Sequence, residues 1–159
     1  MGGSHYRSKP ADLQGTIPEL FAKCMDWLRG NLKNVQDGQN FNSVGHLEIN
    51  EEALVELVEN ALVHRDYFKN APVRILLFDD RLEIISPGCL PNSLTVEEMK
   101  YGNVVVRNPL MVGFAVRTMP FSGLGTGIVR ALEREPDMEL CNDREGDQFK
   151  IVIPRHNSM

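Results

Sequence analysis

The segment PVRILLFDDRLEIIS, residues 72–86, alternates apolar and polar residues on both sides of Asp79, Asp80 and Arg81. Successive strand side chains point to opposite faces, so this pattern predicts a β-hairpin with strands near 73–78 and 82–86 and one apolar face. A lone hairpin cannot hold that face out of water, and other elements must cover it. Residues 16–32, TIPELFAKCMDWLRGNL, offer a first cover: Thr16 as cap, Pro18 in the first turn, and Leu20, Phe21, Cys24, Met25, Trp27 and Leu28 at helical spacing. A polar loop, NVQDGQNFNS, follows, and GHLEI reads as a short strand. EALVELVENALVHRDY, residues 52–67, is the second cover, starting behind Asn50 as cap with Glu51 and Glu52 in its first turn.

Beyond the hairpin, SPGCLPNSLTVEEMKYGNVVV mixes turn residues, two prolines and a short helical signal over about twenty residues, longer than the usual connection in a compact domain. Asn108 and Pro109 open a further helix as cap and first-turn residue, and FSGLGTGIVRALERE is a glycine-rich turn running into another that begins near Ile128. MELCNDREGDQFKIVIP closes as two strands around a polar turn. Helices and antiparallel-looking strands in separate runs predict an α+β fold: a two-layer α/β sandwich with helices on one face of a mixed, mainly antiparallel sheet.

A chain of 159 residues has the size of one domain that buries its own core. Cys24, Cys89 and Cys141 show no paired or metal-type spacing and no signal peptide precedes them, so they read as reduced thiols of a cytoplasmic protein. No apolar run is long enough to cross a bilayer. A net charge of −5 with seventeen scattered Lys and Arg gives no basic patch for a polyanion. MGGSH reads as an expression leader within an extension over 1–15, and 157–159 as a tail. The domain over 16–156 is then expected to be a piece of a larger protein, with any DNA-reading domain elsewhere.

Three segments carry candidate chemistry. On the second helix Ala53, Leu54, Leu57, Val58, Ala61 and Leu62 form the apolar stripe, Glu51, Glu52 and Glu59 are expected to face solvent, and Glu56, Asn60 and His64 make a ridge along the border. A carboxylate and an amide one turn apart can orient a water and offer an oxygen to a hard cation; the plainer alternative is border residues reaching past the core to water. In SGLGTGI, Gly123, Gly125 and Gly127 precede a helix N-terminus, which suits a phosphate, or is simply a turn. It is neither a P-loop nor the dinucleotide fingerprint. In IISPGCLP, Ser86 leaves the strand and Pro87 and Gly88 turn it, as any strand exit could. His64 or Arg65 could meet a phosphate, or HRDY could close the helix with Arg65 and Asp66 paired and Tyr67 packed. No His or Cys spacing fits a catalytic zinc, and the cysteines lack a neighbouring base pattern.

Taken in this order, the three segments resemble the ATP-binding motifs of the GHKL superfamily of gyrase, heat-shock chaperone, histidine kinase and mismatch-repair ATPases. The likeness runs over about residues 16–154 and is most specific in NALVHRDY and SPG.LP. It is greatest to a bacterial branch of transcriptional regulators and C-terminal parts of ATP-dependent DNA helicases. The resemblance implies a Bergerat-type sandwich that binds ATP and Mg²⁺. Glu56 would polarise the attacking water and Asn60 would hold Mg²⁺. His64 would join the nucleotide site, Gly88 would admit the nucleotide close to backbone, Gly123, Gly125 and Gly127 would contact phosphates, and about 89–107 would be the lid. Ser86 stands where most of the superfamily has an adenine-binding Asp; a hydroxyl accepts more weakly than a carboxylate. The motif's second glycine is also missing, and no lysine is placed for the γ-phosphate.

The expected function is therefore an ATP/Mg-binding domain of a transcriptional regulator, with slow hydrolysis and a possible homodimer. The alternative is a degenerate module that serves as a dimerisation or docking platform. Helicase action is the third reading, and nothing resembling a Walker motif supports it.

Overall fold

The computed structural model describes residues 13–36, 38, 44–121 and 125–156. Most of the expected leader, Gly123 and the tail lie outside the described residues. The elements run α1 (Ile17–Asn31), β1 (Asn34–Gln36), β2 (Gly45–Leu47), α2 (Glu51–His64), β3 (Arg74–Leu77), β4 (Arg81–Pro87), α3 (Val96–Lys100), α4 (Pro109–Thr118), α5 (Gly127–Arg134), β5 (Glu139–Asp143) and β6 (Gln148–Pro154).

The predicted hairpin is β3–β4, with Leu77 opposite Leu82 and Arg74 opposite Ile85. The C-terminal pair adds to it in the order β3-β4-β6-β5, and each pairing is antiparallel. Leu82 and Ile84 face Ile153 and Ile151 across β4 and β6, and this apolar face meets the helices. Met25 and Leu28 of α1, Leu54, Leu57 and Val58 of α2, and Ile128 and Ala131 of α5 complete one core. The α+β two-layer sandwich expected from the sequence is the observed class.

Local chemistry sets the helix starts. Glu19 Oε2 accepts from Thr16 N at 2.7 Å and from the Thr16 hydroxyl at 2.9 Å, and Asn50 Oδ1 accepts from Ala53 N at 3.1 Å, engaging donors that a first turn leaves unpaired. One segment departs from expectation: Asn34–Gln36, read as loop, pairs with Gly45–Leu47 as a small separate ribbon. Three residues are too few for an alternating pattern to show in a sequence rich in polar residues. Beside this ribbon, the buried Arg155 guanidinium bridges Glu48, at 2.7 Å, and the Phe78 carbonyl, tying the end of β6 to the start of α2. No helix among the described residues is long and apolar enough to cross a membrane.

Candidate nucleotide cleft

Helical periodicity puts Glu56, Asn60 and His64 in one row, and α5 meets that row with its first residues. The approach is close enough to require glycine. A Cβ on Gly127 would lie 2.6 Å from Glu56 Oε2 and 2.7 Å from Asn60 Nδ2. Asn60 Nδ2 donates to the Glu56 carbonyl at 2.7 Å, which leaves Oδ1 without a hydrogen-bond partner among the described residues. From the next turn of α5, Arg130 reaches back to Glu56, with Nε and Nη2 at 2.8 and 2.5 Å from Oε1. His64 packs its ring against Phe121, centroids 5.9 Å apart at 59°. Burial lowers the His64 pKa, and the nearby charge of Arg107 lowers it further, both favouring the neutral ring.

Glu59 corrects one expectation. The sequence reading sent it to solvent; it is fully buried, and neither carboxyl oxygen has a hydrogen-bond partner among the described residues. Desolvation, reinforced by the charge of Glu56 and opposed by Arg130, pushes its pKa up to about 7. α2 packs into two buried clusters and not one. Val63, one turn on from Glu59, belongs to a second buried cluster with Ala115 and Met119 of the α4 segment and with Phe121.

At the other end of the cleft, β4 exits through Ser86, Pro87 and Gly88. Gly88 has φ +91, and the space its Cβ would need is filled by the Arg107 guanidinium and Asp66. The turn is stitched to the β5–β6 connection: Gly88 N donates to Asp147 O at 2.8 Å, Cys89 N to Asp147 Oδ1 at 3.1 Å, and Leu90 N to Asn142 Oδ1 at 2.8 Å. Lys69 forms an ion pair with Asp147. The Ser86 hydroxyl lines the cleft and has no hydrogen-bond partner among the described residues.

Residues 89–107, with α3 inside them, cover the opening. Gly125, at φ +72, lies under this cover, where a Cβ would sit 2.7 Å from the Gly102 carbonyl and 3.0 Å from Val104. Arg107 Nη2 donates to the Cys89 carbonyl at 2.5 Å and so joins the two ends of the segment. Asn108 stands before α4 as expected, but its side chain does not cap that helix. It donates to the carbonyls of Val63 and Arg65, at 2.9 and 2.7 Å, closing the C-terminus of α2 instead. The free space inside is about 80 Å³, room for a handful of waters and not for a nucleoside triphosphate.

The fold thus brings together Asn60, His64, Ser86, Gly88 and Gly125 around one cleft, with Glu56 and Gly127 in the adjoining recess. Arg65 is turned elsewhere: it donates to the Lys69 and Ala71 carbonyls and stacks on Tyr67, 4.8 Å from the ring centroid. The sequence reading passed over Arg107 and Arg130. Arg130 follows Gly127 by one helical turn, a spacing that could have flagged it; Arg107 carries no such local signal. Among the described residues no group of three or more His, Cys, Asp and Glu side chains could hold a metal ion by itself.

Comparison with known families matches residues 70–153 to the model described as "Putative ATP-dependent DNA helicase recG C-terminal", an ATPase-like domain. The match takes in more than half of the sequence. The chain belongs to this family. It is thereby in the GHKL-like ATPase branch, although α2, with Glu56, Asn60 and His64, precedes the matched residues. Among solved structures, the chain is similar to the crystal structure of the DIP2311 protein from Corynebacterium diphtheriae, with a TM-score of 0.74 and 21% identity. That likeness is one of fold; it covers 86% of this chain and 29% of that one. A search of curated proteins finds no match.

Proposed function

We propose that this family member binds ATP with Mg²⁺ in the cleft between α2, α5 and the 89–107 cover, and hydrolyses it slowly, as one domain of a transcriptional regulator. The observation that carries the reading is the Gly127 contact: an acid and an amide aimed at a bare backbone, at the N-terminus of an eight-residue helix. The residues fit a magnesium ion of the kind nucleotides bring with them. Mg²⁺ retains waters and takes few protein ligands beside phosphate oxygens, and Asn60 Oδ1 is an oxygen with no hydrogen-bond partner among the described residues. Bound there, the ion would neutralise developing phosphate charge. Glu56 would hold the attacking water, Asn60 would orient the ion, and the Gly125 to Gly127 backbone would face the phosphates. Entry requires the cover to move.

One observation favours a non-hydrolytic form of the same module. The Glu56 carboxylate is already engaged by Arg130, which competes with a water for the same oxygen. In this form the domain is a docking or dimerisation platform that nucleotide stabilises without turnover, and DNA is met through other domains.

Thermal unfolding in graded ATP, with and without Mg²⁺, tests binding. Linkage requires the melting temperature to climb with the logarithm of ligand concentration above the dissociation constant. Asn60→Ala should weaken the magnesium-dependent part by about tenfold or more. Melts that ignore nucleotide at millimolar concentration would sink the proposal. Phosphate release by Arg130→Ala at a rate above wild type would favour a masked hydrolase; equal, negligible rates would favour the platform.

A further inference from the structure

Arg107 is the one Lys or Arg lining the cleft among the described residues, and no carboxylate lines it. Its guanidinium carries five N–H donors, yet its hydrogen bonds among the described residues come down to a single neutral acceptor, the Cys89 carbonyl. Asp66 lies beside it at Gly88 but forms no ion pair with it, and none is formed with another acid among the described residues, although other arginines of this chain are paired: Arg29 with Glu51, Arg130 with Glu56, Arg155 with Glu48. A half-buried cation with donors left over, in a cleft whose other walls are largely apolar, is arranged for an anion that comes from outside.

Position along the cleft narrows the anion. His64 lies one helical turn beyond Asn60, so a ligand extending from the Asn60 end toward Arg107 crosses about 5–6 Å of α2, a distance on the scale of a diphosphate. Gly88, at φ +91, has the guanidinium and the Asp66 Cβ where a side chain would have to go. Resting on the nucleotide reading above, we infer that Arg107 binds the phosphate chain of the nucleotide at the end remote from Asn60, exchanging the Cys89 carbonyl for phosphate oxygens. The same exchange unfastens the two ends of the 89–107 cover, so anion binding and movement of the cover are one event.

The test uses ATP, ADP and adenosine against wild type, Arg107→Gln, which retains a donor for the Cys89 carbonyl but no charge, and Arg107→Lys, which retains charge without the planar fork. The expected result is a loss of about 10- to 100-fold in ATP and ADP affinity for Arg107→Gln, a smaller loss for Arg107→Lys, and adenosine affinity within about twofold of wild type. The dependence of ATP affinity on salt should also flatten in Arg107→Gln. Equal losses for ATP and adenosine, or no loss for either, would overturn the assignment while leaving nucleotide binding intact. Should Arg107→Gln fail to fold, Arg107→Lys decides: unchanged ATP and ADP affinity overturns the bidentate contact. A wild type that binds none of the three ligands removes the nucleotide reading itself.

Discussion

The two ends of the cleft are built by different means. At the α2–α5 end, Glu56, Asn60 and Gly127 lie within van der Waals reach of one another, and each is where helical spacing or a helix start puts it. At the β4 exit, the acid the superfamily resemblance leads one to expect is Ser86, and the polar groups that shape the turn arrive from elsewhere: Asp147 and Asn142 from the β5–β6 hairpin, Arg107 from the end of the cover. One end holds Glu56 against Arg130 and leaves Asn60 Oδ1 without a partner among the described residues. The other engages its polar groups with backbone, and leaves one hydroxyl and one guanidinium to meet a ligand. On the function proposed above, the first end would take the metal and the terminal phosphate, the Arg107 guanidinium the rest of the phosphate chain, and base recognition through Ser86 would be the weaker part of the site.

Gly127→Ala attacks the first end most directly. The new methyl meets the ends of two side chains and not backbone, so folding should change little, while Glu56 and Asn60 must swing aside. Mg-ATP affinity or turnover should fall about 100-fold with a nearly unchanged apo melting temperature, read by calorimetry and differential scanning. A tight-binding Gly127→Ala would erase the distinction between the two ends.

Gly125→Ala strikes the seam between the first end and the cover. A side chain at φ +72 that also meets the Gly102 carbonyl should cost about 1–3 kcal/mol in denaturant unfolding. Faster proteolysis within 89–107 should accompany it.

Glu59 refines the charge balance behind the first end. Its folded pKa of about 7 lies above the ordinary 4.5, so the folded protein retains a proton the unfolded chain gives up, and stability falls as pH rises through that window. Glu59→Gln should flatten this slope and be more stable than wild type at pH 8 by about 1–2 kcal/mol. A wild-type profile level between pH 4.5 and 7 would contradict a buried, unpaired acid.

The smallest effect belongs to the second end. Ser86→Ala removes a hydroxyl with no hydrogen-bond partner among the described residues, so stability should stay within about 0.5 kcal/mol. A change of no more than about threefold in ATP affinity, with ATP and GTP binding alike, would fit weak base readout. A large loss would make Ser86 a real substitute for the usual carboxylate.

Much of the fold was legible because its signals are local. The hairpin showed in strand alternation around Asp79 and Asp80, α1 and α2 in their caps at Thr16 and Asn50, and the ridge of Glu56, Asn60 and His64 in a four-residue period. What escaped was whatever depends on a second element. The burial of Glu59 depends on elements packed against α2 from elsewhere in the chain, with Arg130 of α5 near enough to act on its charge. A hint was present, since Val55 and Val63 flank Glu59 on the same helical face and mark a second apolar stripe. Asn108 looked like the cap of its own helix and closes another, because the α2 C-terminus brings two unpaired carbonyls within its reach.

The sequence by itself determined the elements, their amphipathic faces and which side chains share a ridge, since dihedral preferences, caps and periodicity act over one or two turns. Tertiary structure alone decided that Arg130 engages Glu56, that Arg107 lies on Gly88, and that the cover rests on Gly125. Those contacts join residues 19 to 74 positions apart, and a charge or a missing Cβ has meaning there only through what packing brings against it.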